Sequence, residues 1–256
     1  MSEIHFYQEG DGQPLILIHG FCETGEMWRE FSAALGSSNS VYAIDLPGFG
    51  MSPLDRDRIT LEEVAVQIEE WMHDQDIKNP IIIGHSLGGY VALSLLELLG
   101  NHIKGIGLFN STSFADPKEK KAMRNRALLF IEKNGVTKFV DSFVPQLFPE
   151  NRRKELEEEI QVAVKDAHRS SLNGLMAFTQ AMRDRPDRSS ILAHFQGKKL
   201  MIAGTQDSAV PVEDSRKQKE LFTHYHELEG MGHMGMIEEK EKTLNLLQSF
   251  LKACEA

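Results

Sequence analysis

The stretch Ile81-Ile82-Ile83-Gly84-His85-Ser86-Leu87-Gly88-Gly89-Tyr90-Val91-Ala92-Leu93-Ser94-Leu95-Leu96 carries the strongest fold signal in the chain. Three consecutive isoleucines are stiff at χ1 and favour an extended strand covered on both faces. The residues from Tyr90 onward have a helical pattern. Between them stands a serine with glycines at 84, 88 and 89, and such small neighbours leave room for an abrupt strand-to-helix turn. A serine in that turn is expected at strained φ/ψ, with its hydroxyl lifted clear of the sheet edge. The first amides of the helix face the same space, and with the helix dipole they favour developing negative charge. Ser86 is therefore the candidate nucleophile.

A serine hydroxyl is a weak nucleophile, so a base must take its proton, and near neutral pH histidine is the usual one. The chain has ten histidines. His233 is the best placed, in Gly230-Met231-Gly232-His233-Met234-Gly235, a loop just beyond the last expected strand. Ligands collect at the C-terminal ends of strands in open α/β sheets. His224 and His226 fall within a strand, and His5, His73, His102, His168 and His194 lack a comparable loop. His85 is expected to pack beneath the turn. The orienting carboxylate should follow the preceding strand. Asp207 is the first acid after Lys199–Gly204 and lies between Ser86 and His233 in sequence, ahead of the weaker candidates Asp214 and Asp187. Its role would be to fix the imidazole tautomer and stabilise the imidazolium.

An earlier apolar run, Leu15-Ile16-Leu17-Ile18, ends in His19-Gly20-Phe21-Cys22. A strand ending there brings backbone amides towards the turn, so the N–H groups of Phe21 and Leu87 are the candidate oxyanion hole. Each such donor is typically worth about 3–4 kcal/mol of transition-state stabilisation. His19 reads as a residue that braces the loop. Cys22 has no dedicated base and is set aside as a nucleophile.

Moving outward, short apolar runs alternate with helical stretches, the pattern of a mainly parallel sheet flanked by helices. Strands are expected at Ile4–Gln8, Leu15–His19, Val41–Asp45, Ile81–Gly84, Ile103–Asn110, Lys199–Gly204 and His224–Leu228, with helices near 60–75, 87–100, 212–222 and 238–252. Leu61, Val64, Ala65, Ile68, Trp71 and Met72 give the first of these helices one buried stripe. Residues 114–194 break the rhythm and read as about four helices punctuated by Gly135, Pro145, Pro149 and Pro186. They are expected to form a helical cap inserted into a core made of 1–113 and 195–256. Phe114, Leu128, Phe139, Phe143, Phe148, Met176, Phe178 and Met182 could line it or pack it.

The whole-chain numbers fit one globular unit with an insertion. The chain has 256 residues, 41% hydrophobic and 26% charged, with a net charge of −10. An acidic balance argues against a nucleic-acid partner, which calls for clustered Lys and Arg. The one basic cluster, Lys118 to Arg126, is interleaved with Glu119 and Met123 and reads as a solvated face. The first ten residues have no basic segment and no apolar stretch, so no secretory leader is expected. No apolar run approaches the length of a membrane span. Two cysteines, Cys22 and Cys254, form no framework or metal pattern, and a reducing, cytoplasmic setting is expected.

Taken together, His19-Gly20-Phe21, Asp45-Leu46-Pro47-Gly48-Phe49-Gly50-Met51-Ser52, Gly84-His85-Ser86-Leu87-Gly88-Gly89, Asp207 and Gly232-His233 resemble the α/β-hydrolase superfamily, in particular its members with an inserted helical cap. The resemblance covers essentially the full chain. It implies the α/β-hydrolase fold and a Ser86–His233–Asp207 triad, but the scaffold hosts many chemistries. Epoxide hydrolases and haloalkane dehalogenases of this fold place an aspartate where this chain has Ser86. The cofactor-free haloperoxidases commonly follow the serine with methionine, where this chain has Leu87. The menaquinone-pathway synthases share His19-Gly20-Phe21 and Trp28, but are marked by arginine where this chain has Tyr90. A carboxylesterase-like serine hydrolase is therefore expected. Carbon–carbon bond hydrolysis, a lyase or synthase reaction, or a slow-turnover ligand receptor remain the alternatives. The expected partner is a small-molecule acyl substrate, met by a monomer or homodimer. No cofactor and no metal are required, since side chains and backbone fill every role.

Overall fold

The structure is a computed structural model, and it describes residues 4–255; Met1–Glu3, part of the N-terminal stretch considered above, and Ala256 lie outside it. Seven strands form one sheet: β1 (Phe6–Glu9), β2 (Gln13–Ile18), β3 (Asn39–Ile44), β4 (Ile81–His85), β5 (Gly105–Phe109), β6 (Lys198–Gly204) and β7 (His224–Leu228). Their spatial order is β1-β3-β2-β4-β5-β6-β7. β2 through β7 are mutually parallel, and β1 pairs antiparallel with β3, Phe6 opposite Ile44 and Glu9 opposite Val41. The first strand begins two residues later than expected and runs against the rest. Its reversal is made at Gly10-Asp11-Gly12, where both glycines have positive φ. A Cβ at Gly10 would lie 1.9 Å from the Gly36 carbonyl oxygen, so the turn tolerates no side chain.

The central strands have the composition of a sheet covered on both faces. Leu15–Ile18, Ile81–Ile83, Ile106 and Leu108 are all buried. One face is covered in part by α2 (Leu61–Asp74) and α3 (Leu87–Leu99), which pack on each other. The stripe expected on α2 is the one it buries: Leu61, Val64, Ala65, Ile68, Trp71 and Met72. Its start is set by a capping box, in which the Thr60 hydroxyl accepts from the Glu63 amide and the Glu63 carboxylate accepts from the Thr60 amide. A seven-residue helix, α1 (Arg29–Leu35), was not expected; two turns are too short for a periodicity to show.

Between β5 and β6 come α4 (Lys118–Phe143), α5 (Glu157–Ala167), α6 (Leu172–Asp184) and α7 (Ser189–His194), with no strand among the described residues there. α4 bends at Gly135, which has φ 78° and ψ 178°. The block meets the rest of the chain at close range. The Ser171 amide donates to the Gly48 carbonyl at 2.8 Å, and a Cβ on Gly174 would lie 2.5 Å from the same oxygen. At its return, Arg185 stacks over the Tyr90 ring, and Arg188 pairs with Glu62 of α2 and Glu97 of α3. After β6 the chain forms α8 (Val212–Lys217), which stops short of the expected 222 and gives way to a 3-10 turn at Lys219–Leu221. A single unexpected turn, α9 (Gly235–Glu238), precedes the last expected helix, 238–252, which is α10 (Lys240–Glu255).

β2, β4, β5, β6 and β7 are consecutive and parallel in the sheet, so their C-terminal ends line one edge. The residues just past those ends are His19–Phe21, Ser86, Asn110, Asp207 and, in the loop after β7, His233.

Candidate active site

Ser86 stands at the strand-to-helix turn with φ 49° and ψ −113°, conformations that non-glycine residues rarely adopt. Two hydrogen bonds hold the turn in place. The Ser86 amide donates to the Phe109 carbonyl at 2.9 Å, and the Ser111 hydroxyl donates to the Ser86 carbonyl at 2.7 Å. The three glycines are required by contact distance: a Cβ would lie 2.2 Å from the Gly88 backbone at Gly84, 2.3 Å from the Ile18 carbonyl oxygen at Gly88, and 2.3 Å from Ser111 Oγ at Gly89. The Ser86 side chain is partly exposed, while its neighbours are buried.

Asp207 and His233 meet at the same edge, with His233 Nδ1 at 2.9 Å from both carboxylate oxygens. Asp207 Oδ1 also accepts from the Ala209 and Val210 amides at 2.8 Å. Burial disfavours charge on Asp207, but His233 and these donors outweigh it and hold the carboxyl below its ordinary value. A carboxylate only accepts hydrogen bonds, so Nδ1 carries the imidazole proton and Nε2 presents its lone pair. Ser86 Oγ makes no hydrogen bond to His233 Nε2; in sites of this type that contact commonly tightens only with substrate in place.

Three supporting residues were not among the candidates read from the sequence. Asn110, with φ 47°, donates from Nδ2 to Asp207 Oδ2 at 2.8 Å and to the Gly232 carbonyl at 3.0 Å, tying the Asp207 and His233 loops together. Glu238 accepts from the amides of Gly232 and Met234, one on each side of His233, at 2.7 and 2.9 Å. Burial raises the Glu238 pKa in spite of those amides. Glu23 accepts from the Gly20 amide beside Phe21. A carboxylate or amide followed by a turn was the available clue at each position, and it is common to many loops. Met231, Met234 and Met236, which flank His233, are buried in the core.

The Phe21 and Leu87 amides donate to no protein acceptor among the described residues. His19 is buried and braces its loop: Nε2 accepts from the Leu46 amide at 2.9 Å, so Nδ1 donates to the Gly20 carbonyl at 2.7 Å. Burial holds its pKa below the ordinary histidine value. Burial likewise pushes the Cys22 thiol well above its ordinary value, which leaves it a poor nucleophile. An aromatic wall adjoins this loop. The Phe21 ring lies 5.9, 6.0 and 5.8 Å from those of Phe49, Phe139 and Phe143, and Phe49 lies 5.3 Å from Phe178. A separate open recess of about 530 Å³, bordered by Phe148, Pro149, Arg153 and Ser208, includes none of the candidate catalytic side chains. Among the described residues no cluster of His, Cys, Asp and Glu is placed to hold a metal ion.

A sequence profile described as the alpha/beta hydrolase family matches residues 15–245. The chain belongs to the alpha/beta hydrolase family. Solved structures of the same fold superpose closely. An esterase from Thermogutta terrifontis matches with a TM-score of 0.91 at 23% identity, over 99% of this chain and 94% of that one. An enol-lactonase from Burkholderia xenovorans LB400 matches with a TM-score of 0.88 at 18% identity, over 97% and 96%. Among curated relatives, the dihydrolipoyllysine-residue acetyltransferase component of the acetoin cleaving system of Pseudomonas putida is 28% identical over 94% of this chain; the chain spans 64% of that relative's length. A pimeloyl-[acyl-carrier protein] methyl ester esterase from Vibrio cholerae is 36% identical over 35% of this chain and 33% of its own. No helix among the described residues is long and apolar enough to cross a membrane.

Proposed function

We propose that this alpha/beta hydrolase cleaves a small carboxylic ester or related acyl substrate through an acyl-enzyme on Ser86. The observation that supports it most is the Asp207–His233 pair, whose Nδ1 proton is committed to a buried carboxylate, on the sheet edge that carries a strained Ser86. Ser86 Oγ attacks the substrate carbonyl as its proton passes to His233 Nε2. The Phe21 and Leu87 amides hold the tetrahedral oxyanion. His233 then gives the proton to the leaving alcohol, and a water deprotonated by the same nitrogen attacks the acyl-enzyme and releases the acid. No step requires a cofactor.

Residues 114–194 act in this reading as a helical cap over the sheet edge. Phe139 and Phe143 pack on Phe21, and Phe178 on Phe49, so aromatic side chains of cap and core meet beside the loop that would receive the acyl group. The methyl ester esterase activity named for the Vibrio cholerae relative agrees with such a substrate. Two free and buried thiols fit a reducing, cytoplasmic setting.

Hydrolysis of p-nitrophenyl esters of graded acyl length, by wild type and Ser86→Ala side by side, tests the proposal. Turnover of short or medium chains that falls about 10⁴-fold or more in Ser86→Ala supports it. Turnover that survives the substitution, or none in wild type, rejects it and turns attention to carbon–carbon substrates and ligand binding.

A further inference from the structure

We propose that Glu23 and His85 are positioning residues, a buried pair that locks the oxyanion loop to the loop carrying His233. The proposal rests on the Ser86 acyl-enzyme reading.

The two side chains form a continuous link beneath the Ser86 turn. Glu23 Oε2 accepts from the Gly20 amide, one peptide before the Phe21 amide assigned to the oxyanion. The same oxygen lies 2.9 Å from His85 Nδ1, and His85 Nε2 lies 2.9 Å from the His233 carbonyl oxygen. That carbonyl can only accept, so His85 donates from Nε2, and it donates from Nδ1 to the carboxylate. Three segments far apart in sequence are thereby joined: Glu23 and His85 are separated by 62 residues, His85 and His233 by 148.

The surroundings are built for this pair. His85 is fully buried, Glu23 is 6% exposed, and the His85 ring sits edge-on to Phe109 and 4.9 Å from the ring of His233. A Cβ at position 20 would lie 2.7 Å from Glu23 Oε2 and 2.8 Å from His85 Nδ1, so the glycine makes the space. The charged or titratable groups facing the pair are His19 and Cys22 from the oxyanion loop, Asp207 from the acid loop and His233 from the base loop. Burial opposes ionisation of both members. Against it, their mutual attraction and hydrogen bond hold His85 above, and Glu23 below, its ordinary pKa. A buried ion pair is seldom a net source of stability, since desolvation offsets its attraction. What this one supplies is a fixed distance between the amide that receives the oxyanion and the histidine that moves the proton. Errors of about 1 Å in such a geometry reduce rates about 100-fold.

The test is kcat and KM for a p-nitrophenyl ester, with kcat expressed per Ser86 titrated by a fluorophosphonate, in wild type, Glu23→Ala, His85→Ala and Glu23→Gln. Titration counts correctly folded sites, so lost stability alone leaves kcat per site unchanged. The expected result is a fall in kcat of about 10- to 100-fold in both alanine variants, with KM within about threefold of wild type. Glu23→Gln should recover part of it, because its amide can donate to Nδ1 of a neutral His85 whose Nε2–H still reaches the His233 carbonyl, although the Gly20 amide, held by the same oxygen in wild type, loses that acceptor. Alanine variants within twofold of wild type per titrated site, or a glutamine variant as slow as alanine, would overturn the proposal. If the alanine variants yield no titratable enzyme, Glu23→Asp decides: its shorter reach lowers kcat in the same way, and an unchanged kcat refutes the link. Absence of titratable serine in wild type removes the acyl-enzyme reading itself, and the positioning roles with it.

Discussion

Asn110 has left-handed backbone geometry, and its side chain bridges Asp207 and the Gly232 carbonyl. A hydrogen bond to a charged group is worth about 1.5–3 kcal/mol. If that energy is spent in orienting the dyad, Asn110→Ala lowers kcat about 10- to 100-fold, at about 1.4 kcal/mol per tenfold, with less effect on KM; an unchanged kcat would assign Asn110 to folding alone. Glu23 and His85 make a second, pH-dependent prediction. The ionised His85, raised above 6.5, adds stability that is complete below 6.5 and is lost as pH rises through its folded value. The ionised Glu23, lowered from 4.5, adds stability that is complete above 4.5 and is lost as pH falls through its folded value. The melting-temperature gap between wild type and Glu23→Gln should therefore be widest between about 4.5 and 6.5 and narrow on either side; thermal melts across pH that show a constant gap would contradict an ionised pair. At this scale the candidates Ser86, Asp207 and His233 could be named from the sequence, because each lies within five residues of the end of a strand whose pattern is local. Asn110 and Glu23 could not, because their meaning lies in partners far off in the chain, nor could Glu238, whose partners are amides of an irregular loop four and six residues before it.

The strand-to-helix turn is the element on which the site depends; Gly84 and Gly88 are held by backbone contacts and Gly89 by the Ser111 side chain. Gly84→Ala would place a methyl group 2.2 Å from the Gly88 carbonyl. Overpacking of this kind costs about 1–3 kcal/mol, a fall in melting temperature of about 2–10 °C for a chain of this size; a melting temperature equal to wild type would show that the turn relaxes. The effect of Thr60→Ala is milder, about 1 kcal/mol through loss of the α2 cap. Elements whose pattern is long or strongly apolar were read correctly, β4, α2 and α3 above all. The errors lie where pattern is short or silent on direction. The two-turn α1 has no visible period, and β1 runs antiparallel because a glycine turn, not its own composition, sets its direction.

Across the whole molecule, the inserted helices reach the site by two routes. The aromatic contacts of Phe139, Phe143 and Phe178 line one side. On the other, the Thr24 hydroxyl donates to Asp166 at 2.8 Å and Arg169 pairs with Glu26, both beside the oxyanion loop. If residues 114–194 bound the acyl slot, Phe143→Ala enlarges it, and the preferred p-nitrophenyl ester shifts to a longer acyl chain; an unmoved optimum would place the acyl group elsewhere. The interruption of the βα rhythm disclosed this block in the sequence. Which of its faces meets the core did not show in α4, its longest helix, which combines charged and apolar residues without one strong stripe. All these roles converge on Ser86. Its covalent chemistry is read most directly by intact-mass and peptide mass spectrometry after exposure to a fluorophosphonate. The account predicts a single phosphonyl adduct on Ser86, absent from Ser86→Ala and slowed in His233→Ala. An adduct on another residue, or none from an enzyme that turns over esters, would contradict it.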